Sequence, residues 1–371
     1  MLTKFTVKNF KNFQSKLEFD FKASNYEFNK EATQDGIVKM AIIYGENAAG
    51  KSNLGLAMMD IITHLTDNEK YLNDYRTHYL NLETNDLHAE FCYYFNFKNK
   101  EVTYKYSKSA YDQLEYEELK IQDRSIIKYD KAKNIREVFL KGTEYLNFEK
   151  LREDQSLVKL VYMNTAISED NFNADEVIFS EFMNFVKSML HFTSVYGNNY
   201  QGFTSGGGTI NDMIIQSESV DSYNEFLSSL DINYNLFVKQ VDGQDRIYAR
   251  FDSGKEAEFF NIMSSGTRSI SLFYAWYVRF SKESKFVLID EFDSYFHHKV
   301  SKKIIELLKK SNCQVVLTTH NTANMSNNIL RPDSYYVISK GTVKTIAERA
   351  GREVREAQNI EKMYRAGSFD E

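Results

Sequence analysis

A chain of 371 residues is long enough for one large or two medium domains, and 42% hydrophobic with 15% aromatic residues is ample for a packed core. The formal net charge of -6 excludes a generally basic surface made for nucleic acid, while leaving room for a local basic groove. Cys92 and Cys313 lie far apart without metal-ligand spacing, which reads as small buried residues in a reducing compartment.

No run approaches the roughly 18 apolar residues of a membrane helix. Met1-Leu2-Thr3-Lys4-Phe5 lacks the apolar core of a signal peptide. A cytoplasmic protein without membrane contact is therefore expected. The first 22 residues alternate about Phe5, Val7 and Phe10, then Leu17, Phe19 and Phe21, which predicts two strands joined at Lys11-Asn12-Phe13. A polar link follows from Ala23 to Asp35.

Met40 to Ile43 is an apolar run fit for a buried strand, and Asn53 to His64 has helical periodicity. Between them stands Tyr44-Gly45-Glu46-Asn47-Ala48-Ala49-Gly50-Lys51-Ser52, which reads Gly-x-x-x-x-Gly-Lys-Ser in the strand-to-helix setting of a P-loop. Gly45 and Gly50 let the backbone curl so that its N–H groups converge on phosphate oxygens at the positive end of the next helix. Lys51 would reach the β- and γ-phosphates, and the Ser52 hydroxyl would ligate Mg²⁺. The candidate nucleotide-binding residues are Gly45, Glu46, Asn47, Ala48, Ala49, Gly50, Lys51, Ser52 and Asn53.

Residues 65–87 are polar and without clear pattern. From His88 the period turns to two, with Phe91, Tyr93, Phe95 and Phe97 on one side and Glu90, Cys92, Tyr94 and Asn96 on the other. A turn at Lys98-Asn99-Lys100, a return along Val102 to Tyr106, and further strands near Tyr116–Ile121, Ser125–Tyr129 and Glu137–Leu140 predict an antiparallel meander. The stretch 150–235 reads as helical. Ile178, Phe182, Phe185, Val186 and Met189 form one amphipathic stripe, and Val220, Tyr223, Phe226, Leu227 and Leu230 another. Ser205-Gly206-Gly207-Gly208-Thr209 between them is a flexible loop, and no Lys-Ser/Thr follows to make it a second phosphate loop. Strands return at Asn235–Val241 and Arg246–Phe251 about an Asp242-Gly243 turn.

Met263-Ser264-Ser265-Gly266-Thr267-Arg268 introduces an apolar helix from Ile270 to Phe280. A Ser-x-Gly turn at a helix start offers a hydroxyl and free N–H groups to an anion, and it also serves as an ordinary N-cap. Phe286-Val287-Leu288-Ile289-Asp290-Glu291 is a buried strand with two carboxylates at its C-terminal end, where open α/β sheets bind ligands. Asp290 would hold Mg²⁺ as a Walker B aspartate, and Glu291 would orient the attacking water. Adjacent histidines His297-His298 point about 100° apart on a helix, so they do not suit a zinc site. Cys313 to Thr319 is another buried strand, and His320 at its end is placed to sense a γ-phosphate.

The order GENAAGKSN, SSGT, FVLIDEFDSYFHH, VVLTTH resembles the ABC-type ATPase module of the RecF, SMC, Rad50 and OLD-like proteins. In particular it resembles the stand-alone AAA-type ATPases of abortive infection and anti-phage defence. Val7-Lys8-Asn9-Phe10-Lys11-Asn12-Phe13 and the tail from Glu356 to Gly367 share in the likeness, which covers residues 1–60 and 255–371 well. It implies an α/β ABC-ATPase head in four parts. Residues 1–150 would form an N-terminal lobe with P-loop and antiparallel meander, and 151–235 a helical insertion. Residues 236–345 would form a C-terminal lobe with signature, Walker B and switch histidine, and 346–371 a helical tail.

The resemblance further implies ATP and Mg²⁺ as cofactors and two heads closing face to face as a homodimer. Ser264 and Gly266 would contact the γ-phosphate held by the partner's P-loop, with Asp293 and Ser294 in the loop crossing the dimer axis. Glu291 and His320 would be the catalytic residues. Met-Ser-Ser-Gly-Thr departs from the usual Leu-Ser-Gly-Gly-Gln signature, a Q-loop glutamine has no evident position in 88–150, and no long heptad arm separates the halves.

Two functions follow. The first is an ATP-driven switch subunit of a prokaryotic anti-phage system that controls a separately encoded effector, a nuclease or other toxin. With roughly fifty residues after His320, a complete OLD-type nuclease domain is not expected in this chain. The amphipathic tail with Val354, Ala357, Ile360 and Tyr364 could dock that effector or pack on its own domain. The alternative is a RecF- or SMC-like repair or maintenance ATPase that binds DNA directly, which predicts a basic stripe and salt-dependent affinity. The ATPase subunit of a transporter, which would need the usual signature and a surface for a membrane partner, is a lesser reading.

Overall fold

The computed structural model describes residues 1–66, 73–148, 155–165, 174–193, 199–201, 209–217, 219–294 and 296–370. Residues 205–208 of the expected Gly-rich loop, and Tyr295, lie outside the described residues.

The chain begins with the antiparallel pair β1 (Leu2–Lys8) and β2 (Leu17–Asp20). A small hairpin, β3 (Thr33–Gln34) with β4 (Ile37–Val38), precedes β5 (Met40–Tyr44), the strand that enters the P-loop. The helices α1 (Lys51–Met58), α2 (Asp60–Leu65) and α3 (Asn73–Arg76) follow. The meander is β6 (Ala89–Phe97), β7 (Lys100–Ala110), β8 (Gln113–Ile121), β9 (Arg124–Asp130) and β10 (Ile135–Val138). With β1 and β2 it makes an antiparallel sheet in the order β10-β9-β8-β7-β6-β1-β2. The tight reversal after β6 works because Lys98 and Asn99 both take positive φ, 50 and 62°, the twist that a two-residue hairpin loop requires.

The middle of the chain contributes α4 (Leu157–Asn164), α5 (Ala174–Lys187), β11 (Leu190–Thr193), β12 (Asn199–Gln201), α6 (Ile210–Ser217) and α7 (Val220–Ser229). A three-stranded sheet of β13 (Leu236–Val241), β14 (Gln244–Arg250) and β15 (Glu256–Glu258) comes next. Then come α8 (Phe259–Ile262), α9 (Ser265–Glu283), β16 (Phe286–Asp290), α10 (His298–Lys309) and β17 (Gln314–Thr318). The chain closes with β18 (Tyr335–Ser339), β19 (Thr342–Thr345), α11 (Ile346–Arg349) and α12 (Ile360–Arg365).

The second seven-stranded sheet carries the motifs, in the order β12-β11-β16-β17-β5-β18-β19. Its five central strands run parallel, and antiparallel strands close both edges. All residues of β5, β16 and β17 are buried, because helices cover both faces of a parallel sheet. Period two divides each strand between two cores. Ala41, Ile43, Leu288 and Val316 join α1, α2, α4, α5 and the antiparallel sheet on one side. Met40, Ile42, Val287, Val315 and Leu317 join α9, α10 and α12 on the other.

Two features differ from the sequence reading. The helix expected from Asn53 to His64 breaks at Met59 (φ -96, ψ 0), and α2 restarts with Asp60 buried against the meander. The stretch 150–235 also carries β11, which pairs in parallel with β16. Four residues are too few to show a period, so this strand is set by its neighbour in the sheet.

Candidate functional site

The P-loop leaves the carboxyl end of β5 and closes on α1. Gly50 sits at the N-cap with φ 102°, a conformation that suits glycine, and no side chain caps the helix. Among the described residues no side-chain hydrogen bond caps the first N–H groups of α1, which stand at the positive end of its dipole. Ala48 also takes a positive φ of 62°. Lys51 is 5% exposed, and its ammonium donates to the carbonyls of Gly45 (2.9 Å) and Glu46 (3.1 Å). Asn53 donates to Asn12 Oδ1 at 2.8 Å, and a side chain on Gly50 would run into Asn12.

β17 lies between β5 and β16, so three strand ends converge. Asp290 ends β16, 4% exposed, hydrogen-bonded by the Ser52 hydroxyl and by Thr318 Oγ1. Burial pushes its carboxyl up from the ordinary range, against the pull of those two hydrogen bonds and of Lys51. At Glu291 the backbone turns to φ 46°, its N–H donates to Thr318 Oγ1 at 2.8 Å, and Ser294 Oγ donates to its carboxylate at 3.1 Å. His320 Nε2 lies 4.0 Å from Glu291 Oε1. Burial lowers the Lys51 pKa while Asp290 and Glu291 oppose it, and burial and then the Lys51 charge lower that of His320. Lys51, Ser52, Asp290, Glu291 and His320 therefore share one electrostatic environment.

Ser264 and Gly266 stand apart from this cluster. Ser264 caps α9, its hydroxyl accepting the Thr267 N–H at 3.1 Å. Among the described residues no hydrogen bond or ion pair joins either residue to the P-loop, Asp290, Glu291 or His320. Asp293 lies in the turn that follows β16, the loop in which the resemblance puts it. It is 8% exposed, with Thr319 Oγ1 (2.6 Å) and Asn324 Nδ2 (2.8 Å) donating to its carboxylate. These partners brace it inside its own chain, and Ser294 is the exposed residue of the pair. His297 serves as the N-cap of α10.

Sequence reasoning missed Thr318 and Asn12. Thr318 passes as one more β-branched strand residue, and its only signal is a hydroxyl at the last position of an otherwise apolar run. Asn12 lies in a turn 38 positions before Gly50, and only the fold brings them together. It also missed how α12 approaches the loop, with the Tyr364 ring 6.2 Å from that of Tyr44.

Lys51, Ser52 and Asp290 suit a triphosphate with its divalent cation. A hydroxyl and a carboxylate already in contact are hard oxygen donors of the kind Mg²⁺ takes, beside a lysine and an open helix N-terminus. A P-loop at the carboxyl end of one parallel strand, with a carboxylate pair on another two places along, defines a P-loop nucleoside triphosphatase. The model of the family described as "AAA domain, putative AbiEii toxin, Type IV TA system" matches residues 40–326, and the chain belongs to that family. It is an AAA-domain ATPase.

Comparison with curated proteins returned no match. Among solved structures, the SMC head domain from Thermotoga maritima is similar at 14% identity and TM-score 0.46, covering 92% of this chain and 97% of that one. An Smc head bound to the C-terminal winged-helix domain of ScpA is similar at 16% and 0.46, covering 92% and 96%. The Smc head with an extended coiled coil bound to the C-terminal domain of ScpA, from Pyrococcus furiosus, gives 13% and 0.45, covering 92% and 95%. Among the described residues no helix is long and apolar enough to cross a membrane.

Proposed function

We propose that this ATPase is the switch subunit of a prokaryotic abortive-infection system, acting in the cytoplasm, where ATP closes two copies and hydrolysis releases them. The motion would control a separately encoded effector, a nuclease or other toxin. The observation that carries the reading is the division of the motifs. Lys51, Ser52, Asp290, Glu291 and His320 cluster in one copy, while the Ser264-Ser265-Gly266 turn stands apart at an exposed helix start. A second copy could bring that turn to the nucleotide. The family description, which names a putative toxin of a toxin–antitoxin system, supports the defence setting. In this reading residues 1–150 and 236–345 are the two lobes, 151–235 the insertion and 346–371 the tail.

The backbone N–H groups of residues 45–53 and Lys51 hold the β- and γ-phosphates. Ser52 and Asp290 would hold Mg²⁺, which when bound would supply positive charge against that developing on the transferred phosphoryl group. Glu291 orients the attacking water and takes up its proton, and His320 donates a hydrogen bond to the γ-phosphate. Glu291→Gln should bind ATP, stop hydrolysis and accumulate a dimer measured by light scattering, while Lys51→Ala should lose ATP binding. Unchanged hydrolysis in both would sink the site. For the defence reading, a host carrying the gene with its neighbours should resist phage, and Lys51→Ala should abolish resistance. No protection, together with tight DNA binding that weakens steeply with salt, would instead favour a RecF- or SMC-like maintenance ATPase.

A further inference from the structure

Thr318 is the last residue of β17 and is fully buried. A strand of this kind is normally apolar, as Val315, Val316 and Leu317 are, and a buried hydroxyl is costly unless its bonds are made. Both are made here. The Glu291 N–H can only donate, so the hydroxyl accepts from it at 2.8 Å, and its single proton goes to Asp290 Oδ1. The Thr318 carbonyl also accepts the Phe292 N–H at 3.2 Å. One residue thus ties three consecutive positions at the corner where β16 ends. That corner needs tying, because Glu291 holds a φ of 46°, which is unfavourable for a residue with a Cβ.

We propose that Thr318 is a positioning residue for the reaction: its hydroxyl sets the rotamer of Asp290 and the backbone turn that carries Glu291, and so keeps the cation-holding and water-orienting carboxylates in register. With one Asp290 oxygen fixed by Thr318, the carboxylate keeps its orientation toward Ser52. The inference rests on the ATPase reading of this site.

The test compares Thr318→Val, which keeps the shape and removes the hydroxyl, with Thr318→Ser, which keeps the hydroxyl. Thr318→Val should lower kcat by about 10- to 100-fold, the usual effect of removing a partner that orients a metal ligand, with KM for ATP within roughly threefold. A fluorescent ATP analogue should bind it as it binds the unmodified protein in EDTA, while the gain in affinity on adding Mg²⁺ should shrink. Thr318→Ser should recover most of both. If Thr318→Val melts early, Thr318→Ala, also without the hydroxyl, is measured below its melting temperature. A folded hydroxyl-free variant with kcat and Mg²⁺ dependence within about twofold of the unmodified protein overturns the proposal, as does equal loss in Thr318→Ser. Lys51→Ala and Glu291→Gln run alongside: if they also hydrolyse ATP normally, the site assignment fails and not the role of Thr318.

Discussion

Gly45 packs directly against Ile338 of β18. A methyl built on Gly45 would stand 2.6 Å from Ile338 Cγ2 and 2.8 Å from the Ile338 carbonyl oxygen. The first glycine of the P-loop is therefore required by close approach, since its own φ is not positive.

Gly45→Ala should consequently distort the loop, at a cost of about 1–3 kcal/mol for overpacking. It should also weaken nucleotide binding, because Lys51 is bonded to the Gly45 carbonyl. Adding Ile338→Ala removes the side-chain clash and leaves the backbone one, so rescue should be partial. Thermal melting and nucleotide titration of the single and double variants check this, and full rescue would mean that β18 can shift.

A second prediction concerns the wall behind the P-loop helix. Asp60 is fully buried at the start of α2, where Lys108 (2.8 Å), Tyr79 (2.8 Å), Tyr106 (2.7 Å) and Tyr75 donate to it. Burial works against the ionised carboxylate, but Lys108 and the tyrosines more than offset it and hold its pKa below the ordinary value. Lys108→Met removes the only cation bonded to it among the described residues and should destabilise the protein by roughly 3–5 kcal/mol, as breaking a buried ion pair does. Urea denaturation measures it. Lys108→Met combined with Asp60→Asn should recover part of the loss, because neither half of this buried ion pair is then left charged without its partner.

These two sites show where the sequence was legible. Gly45, Gly50, Lys51 and Ser52 announce themselves because phosphate binding demands those residue types at that spacing, and Asp290 and Glu291 because carboxylates rarely end an apolar run. Phe91, Tyr93, Phe95 and Phe97 showed their common face because period two is a local property. The Asp60 network could not be read, because its partners come from α3, the segment just after it and β7, and meet only when α2 packs on the meander. Thr318 was hidden for the opposite reason: threonine suits any strand, and its function depends on which strand lies beside it. The loop that holds Asp293 was legible, but its partners Thr319 and Asn324 were not, because they come from just past the next strand and the turn after it.

The third prediction is a pH dependence of stability carried by His64. This residue is buried on α2, its Nε2 is 3.3 Å from Glu117 Oε2, and its ring stacks on Tyr106 with centroids 4.5 Å apart. Burial lowers its pKa from the ordinary 6.5, and the hydrogen bond to Glu117 only partly opposes this. The unfolded chain therefore takes up a proton near pH 6.5 that the folded chain takes up only at lower pH. Where the unfolded state binds more protons, stability rises with pH. The contribution of His64 is complete above pH 6.5 and is lost as pH falls from there through the folded value. Burial pushes the Glu117 carboxyl up, but His64 first and then the Ser156 and Tyr104 hydroxyls, each donating at 2.8 Å, more than offset it and hold its pKa below the ordinary value. His64→Gln preserves a donor toward Glu117 without a titrating group. Unfolding free energy measured in urea from about pH 7 to about pH 5 should fall for the unmodified protein and fall less for the variant. Because His320 shifts in the same direction in both proteins, their difference isolates His64. Parallel curves would show that His64 does not hold its proton more weakly in the folded state.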